Sequence, residues 1–199
     1  MRLFEVAAIL GFNSVFAAVP GLIRFRKVEP AYQPFIIIVC LGLFNHSLSV
    51  FMGYYYKTNA VNGNIFVLTE SLLYIWQFSK WGLLKKSKQT VLILAGLLLI
   101  VWITDNLVLH NLQTPNSGFR IFSSFMMVFL AIDQLTSLVT KAKINLLKNA
   151  IFIICCGMLI YFSYKAFIEV FFLVETSSNI QLFANIYSIF VGINFFVNF

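Results

Sequence analysis

The chain has 199 residues, of which 60% are hydrophobic and only 11% charged, with a mean hydropathy of +0.89. A water-soluble domain carries about a quarter charged residues, and a chain this short has too little interior to hide twenty-three phenylalanines. Water is excluded as the main solvent, and the net charge of +7 calls for an account in terms of where the bases lie before nucleic acid is invoked.

A membrane-crossing helix needs about twenty mostly apolar residues. Seven such runs are predicted, from Leu3 to Ile23, Pro34 to Tyr56, Ile65 to Leu84, Thr90 to Val108, Gly118 to Val139, Ala150 to Val174 and Ile180 to Phe199. The expected fold is all-α: one polytopic membrane helix bundle over residues 1–199, without a soluble domain. Arg24, Arg26 and Lys27 follow the first run, whereas a signal peptide carries its bases in front, so that run reads as a retained helix. Pro30, Pro34, Asn62-Gly63, Pro115-Asn116-Ser117-Gly118 and Ser177-Ser178-Asn179 punctuate the short connections. Cys40, Cys155 and Cys156 lie inside apolar runs and read as buried thiols.

Basic residues stay on the cytoplasmic side of membrane helices. Alternate connections carry Arg24, Arg26 and Lys27, then Lys80, Lys85, Lys86 and Lys88, then Lys141, Lys143 and Lys148; the opposite side has Arg2, Lys57 and Arg120. That asymmetry predicts an N-terminus outside and a C-terminus in the cytoplasm, in a bacterial inner membrane. Tyr54, Tyr55 and Tyr56 at one boundary and Trp81 at the other fit interfacial anchors. The basic loops form a candidate surface for a cytoplasmic protein partner or for anionic lipid headgroups.

Ionisable groups within spans are costly and turn toward the bundle interior. They are His46, Glu70, Asp105, Asp133, Lys165 and Glu169, with Arg120 near the outer surface and Asn45 and Asn185 as neutral companions. A rise of about 1.5 Å per residue puts His46, Asp105 and Lys165 at roughly 18, 22 and 24 Å from the inner boundary, and Glu70 and Asn185 roughly 8 Å below the outer one. The candidate cluster is thus His46, Glu70, Asp105, Arg120, Lys165, Glu169 and Asn185 in one outer-half layer. Polar and small residues at spacings of three and four make a seam on each helix: Gly42, Asn45, Ser49 and Gly53; Glu70, Tyr74 and Gln77; Gly157, Tyr161, Lys165 and Glu169; Gln181, Asn185, Ser188 and Gly192. Two readings stand side by side. The layer is an outward-facing pocket for a small polar or zwitterionic ligand, or its acids and bases pair and lock helix to helix. Asp133, deeper, is expected to pair with Lys80.

The spacing of polar residues offers no catalytic signature. The two histidines do not make a zinc hydrolase, the seventh run lacks the lysine a retinal protein carries there, and no phosphate loop or nucleophile motif occurs. No cofactor or metal is expected.

The stretch Pro34 to Trp81, with Asn45 and the run Asn64-Ile65-Phe66-Val67-Leu68-Thr69-Glu70-Ser71-Leu72-Leu73-Tyr74, resembles a group of small seven-helix membrane proteins of Bacteroidetes. The likeness continues in Leu159-Ile160-Tyr161-Phe162-Ser163 and Asn185-Ile186-Tyr187. It implies the fold and no assigned chemistry. In size and polytopic character the chain is also similar to the transmembrane accessory protein of type VI-B CRISPR loci, which implies a modulator of an RNA-guided RNase. A non-enzymatic accessory or regulatory protein is the leading expectation, followed by a small-molecule sensor or transporter and then by a membrane enzyme acting on lipid.

Overall fold

The computed structural model describes residues 12–84, 88–141 and 146–174, and among these the ordered elements are all helical. They are α1 (Val15–Ile23), preceded by a 3-10 turn at Phe12–Ser14, α2 (Gln33–Tyr56), α3 (Ala60–Lys80), α4 (Lys88–Ile103), α5 (Ser117–Lys141) and α6 (Ala150–Val174). A π-helical turn, Thr104–Leu109, prolongs α4. Four helices are long and apolar enough to cross a membrane: Gln33–Tyr56, Lys88–Leu109, Ser117–Thr140 and Ala150–Phe171. These match the second, fourth, fifth and sixth predicted runs. The seventh run, Ile180 to Phe199, and the beginning of the first lie outside the described residues.

Local chemistry sets the helix ends. Pro34 sits in the first turn of α2, where its missing N–H would have no helical acceptor. At its other end α2 stops on Lys57, which takes a left-handed φ of 60°. The Asn149 side chain accepts from the backbone N–H of Ile151 at 2.9 Å, satisfying one of the donors left over at the start of α6.

The third run needs a correction at both ends. Asn62-Gly63 is not a turn: α3 starts at Ala60 and carries the pair in its first turn, and it ends at Lys80 rather than Leu84. Asn and Gly suit turns by propensity, but tertiary bonding from Asn62 and Asn64 overrides that preference here. Nine of the 21 residues of α3 are buried, so this most polar of the long helices is the one placed inside.

Hydrogen bonds fix the directions. Gln77, near the end of α3, donates to the carbonyl of Ala31 just before α2 at 2.7 Å, and Trp102, late in α4, donates to the carbonyl of Asn64 early in α3 at 2.9 Å. Both neighbours are therefore antiparallel to α3. Arg120, at the start of α5, reaches Asn64, so α5 runs parallel to α3, and α6 returns antiparallel along α5, its most extensive partner. Residues 24–32, 81–84 and 146–149 consequently lie at one end, while 57–59 and 110–116 lie at the other.

The shared core comprises Val67, Tyr74, Ile75 and Phe78 of α3, Leu98 of α4, Phe119, Met127, Leu130 and Ala131 of α5, and Cys155, Met158 and Phe162 of α6. Outward faces are apolar too, as a lipid-facing surface requires: Phe44, Leu92, Ile100, Phe129 and Ile160 are all exposed. Phe78 is 0% and Phe129 67% exposed, so Phe78→Ala is expected to cost about 3–5 kcal/mol through the cavity it leaves and Phe129→Ala within about 0.5 kcal/mol. Unfolding of the reconstituted protein measures both.

Candidate functional site

Successive helical residues point about 100° apart, and the opening of α3 uses this to address three neighbours from three adjacent positions. Asn62 donates to Asn45 Oδ1 at 2.8 Å and to Ser49 Oγ at 3.0 Å, tying α3 to the polar seam of α2. Asn64, 2% exposed, donates to the carbonyls of Leu112 and Thr114 at 3.2 and 2.8 Å. Its own side-chain oxygen accepts from Arg120 Nη2 at 3.2 Å. Gly63, between them, leaves the space into which Arg120 comes: a Cβ there would stand 2.9 Å from Nη2.

Arg120 also donates to Glu169 Oε1 at 3.3 Å, and Ser117 donates to Glu169 Oε2 at 2.6 Å. One turn along α6, Lys165 bonds Glu70 of α3 at 2.9 Å, with both side chains close to fully buried. The Lys165 ammonium also lies 5.6 and 5.5 Å from the ring centres of Tyr161 and Phe162, and the Phe162 ring meets Tyr74 edge-on. Tyr161 is in the electrostatic range of Glu70, Arg120 and Glu169, which places it among both ion pairs. Two acids and two bases from α3, α5 and α6 thus neutralise one another. The expected convergence of Glu70, Arg120, Lys165 and Glu169 is observed.

Asp105 belongs to the same end but does different work. The π turn carries its carboxylate to the start of α5, where Oδ2 accepts from the backbone N–H of Phe119 at 2.6 Å. A negative group there meets the unpaired N–H groups and the positive end of the helix dipole. Gly118 permits the approach, since a Cβ would lie 2.9 Å from Oδ1. His110 Nδ1 donates to Asp105 Oδ1 and to the Asp105 carbonyl, both at 3.1 Å. Loop 110–116 is further tied by Asn116, which donates to Asn106 Oδ1 at 3.0 Å and to the Asn111 carbonyl at 3.1 Å.

The remaining predicted residues fall elsewhere. His46 of α2 packs edge-on against Phe12, ring centres 5.0 Å apart, and Asn185 lies outside the described residues. Asp133 and Lys80 are both exposed, facing outward from the bundle rather than each other, and the ion pairs found among the described residues do not include that pairing. Asn62, Asn64 and Ser117 are not among the site residues the sequence predicts, because Asn62 and Ser117 fall in its loop punctuation and Asn64 just ahead of its third run; the paired Asn residues flanking Gly63 are the available signal. Arg120 Nε is buried without a hydrogen bond, so the guanidinium retains donor capacity. Among the described residues no three His, Cys, Asp or Glu side chains gather closely enough to hold a metal ion.

At the opposite end, Arg24, Arg26, Lys27, Lys80, Lys88 and Lys148 are all exposed. Lys85, Lys86 and Lys143 and the side chain of Lys141 lie outside the described residues. Partial burial, and then the neighbouring Glu29 carboxylate, raise the Tyr32 phenol above its ordinary pKa, so it stays a neutral group beside these bases.

Removing one partner of a buried pair leaves an uncompensated charge. Glu70→Gln and Lys165→Met are each expected to destabilise the bundle by about 3–5 kcal/mol, and the double variant by less than either. Gly63→Ala, by displacing Arg120 from Asn64, should cost about 1–3 kcal/mol. Reversible unfolding in lipid-detergent micelles measures all four. No protein-family model, curated protein or solved structure matches this chain.

Proposed function

We propose that this is a seven-span integral protein of a bacterial inner membrane, with residue 1 outside and the basic end of the bundle cytoplasmic, and that it serves as a non-enzymatic accessory or regulatory protein. The observation that carries this reading is the mutual use of the intramembrane charges. Glu70 with Lys165 and Glu169 with Arg120 and Ser117 hold three helices together, which suits a structural lock better than a set of acids and bases poised for catalysis. The orientation is supported by the gathering of exposed bases at one end. That end is also where a cytoplasmic partner or anionic headgroups would be met. The partner suggested by the resemblance to type VI-B accessory proteins is an RNA-guided RNA-targeting nuclease.

Orientation is tested with single cysteines in a variant lacking Cys40, Cys155 and Cys156. In intact cells a membrane-impermeant maleimide is expected to label positions 57 and 113 and to spare 27, 88 and 148; the reverse pattern inverts the bundle. For function, co-expression with a type VI-B nuclease should lower RNA interference, and replacing Arg24, Arg26, Lys27, Lys88 and Lys148 by Gln should restore it at unchanged thermal stability. Equal interference with and without the chain defeats the regulatory reading. A zwitterionic ligand that raises the melting temperature of the wild type, but not of Glu70→Gln or Lys165→Met, transfers the role to small-molecule sensing.

A further inference from the structure

Asn64 hydrogen-bonds both the ion-pair layer and the 110–116 loop. Both edges of its amide are engaged: the oxygen accepts from Arg120 Nη2 at 3.2 Å, and the nitrogen donates to the carbonyls of Leu112 and Thr114. An amide is planar and rigid, so its donor and acceptor edges turn together. It is 2% exposed, and water is poorly placed to replace a lost partner. Gly63 beside it removes the side chain that would otherwise keep the guanidinium at a distance.

We infer that Asn64 couples the two: the pairing of Arg120 with Glu169 inside the bundle sets whether the 110–116 loop is latched at its surface. When Glu169 holds Arg120 in place, the guanidinium fixes the Asn64 oxygen and thereby aims its N–H groups at the loop. Displacing Arg120 leaves a buried acceptor unsatisfied and removes the bond that fixes the amide's orientation, so the amide turns more freely and its bonds to Leu112 and Thr114 weaken. The ends of the loop are anchored separately, His110 on Asp105 and Asn116 on Asn106, but the bonds described for its middle, apart from those of Asn64, run within the loop: Gln113 and Thr114 donate their backbone N–H groups to Asn111, and Thr114 Oγ1 donates to Asn111 and Asn116. Glu169 is the point of control, since its other oxygen is held by Ser117. Any anion that captured Arg120 in place of Glu169 would act on the loop by the same route, whichever way the bundle faces.

The test is hydrogen–deuterium exchange of the full chain in lipid nanodiscs, read at the peptide covering residues 111–116. Asn64→Asp keeps an acceptor for Arg120 but removes both donors to the loop, and is expected to raise exchange there roughly tenfold. Arg120→Lys and Glu169→Gln touch no loop atom among the contacts described, yet both are expected to raise the same peptide several-fold. Glu70→Gln serves as a comparison that disturbs the deeper ion pair and should leave the loop protected. Loop exchange at the wild-type level in both Arg120→Lys and Glu169→Gln, with Asn64→Asp raised, shows a clamp without coupling and overturns the inference. So does a rise spread evenly along α3 and α5 in those variants, which reports general loosening. Glu169→Gln, the mildest change, keeps the question decidable if Arg120→Lys fails to fold.

Discussion

The charged side chains between α3, α5 and α6 are largely buried, and their pairing with one another is the constraint on which the rest of the bundle depends. Lys165 is held by Glu70, and Arg120 by Glu169 and Asn64. Moving any of these helices by a few ångströms would separate opposite charges in a low-dielectric interior, where the penalty is several times that at a solvated surface. Apolar packing between membrane helices is weakly directional because lipid competes for the same contacts. The charges therefore supply register where the Leu, Ile and Phe side chains supply only cohesion.

Much of this was legible in the chain because hydrocarbon imposes simple rules. Apolar runs of about twenty residues gave four helices nearly to the residue, and the spacing of Glu70, Tyr74 and Gln77 and of Tyr161, Lys165 and Glu169 named the faces that meet. Partner identity was less legible: nothing in the spacing tells which acid Lys165 chooses, since Glu169 lies a single turn away on its own helix and Glu70 on another. Asp105 was read as one more member of the cluster, whereas a helical irregularity redirects it to the start of α5; hydropathy is blind to a change of pitch. Asn62-Gly63 failed for the opposite reason, because local propensity favoured a turn and only distant partners made a helix there.

The two ends of the bundle are built differently. One presents exposed lysines and arginines, among them Arg24, Arg26, Lys27, Lys80, Lys88 and Lys148. The other is knit by asparagines, with Asn64, Asn106, Asn111 and Asn116 joining loop to helix through carbonyls and amides. Amide side chains suit this position because they both donate and accept without carrying a charge into a buried site. The asparagine-bonded end lies over the charged layer, and the basic end lies beyond the apolar core of Phe78, Leu98 and Cys155.

The π turn at Thr104–Leu109 has a wider consequence. A π turn accommodates one residue more than the α-helical count, so it acts as a phase shifter: everything before it follows the packing of α4 against α3, and everything after it is rotated to serve α5. Each residue of an α-helix turns the chain by about 100°. Shortening this segment by a single residue would restore regular winding and swing Asp105 by about that angle, away from the Phe119 amide it now serves. The helix would remain long and apolar enough to span a membrane, while the end that closes the bundle lost its anchor. In this segment the phase of the winding, rather than residue type, decides where a carboxylate acts, and an insertion or deletion there would be far more consequential than a substitution.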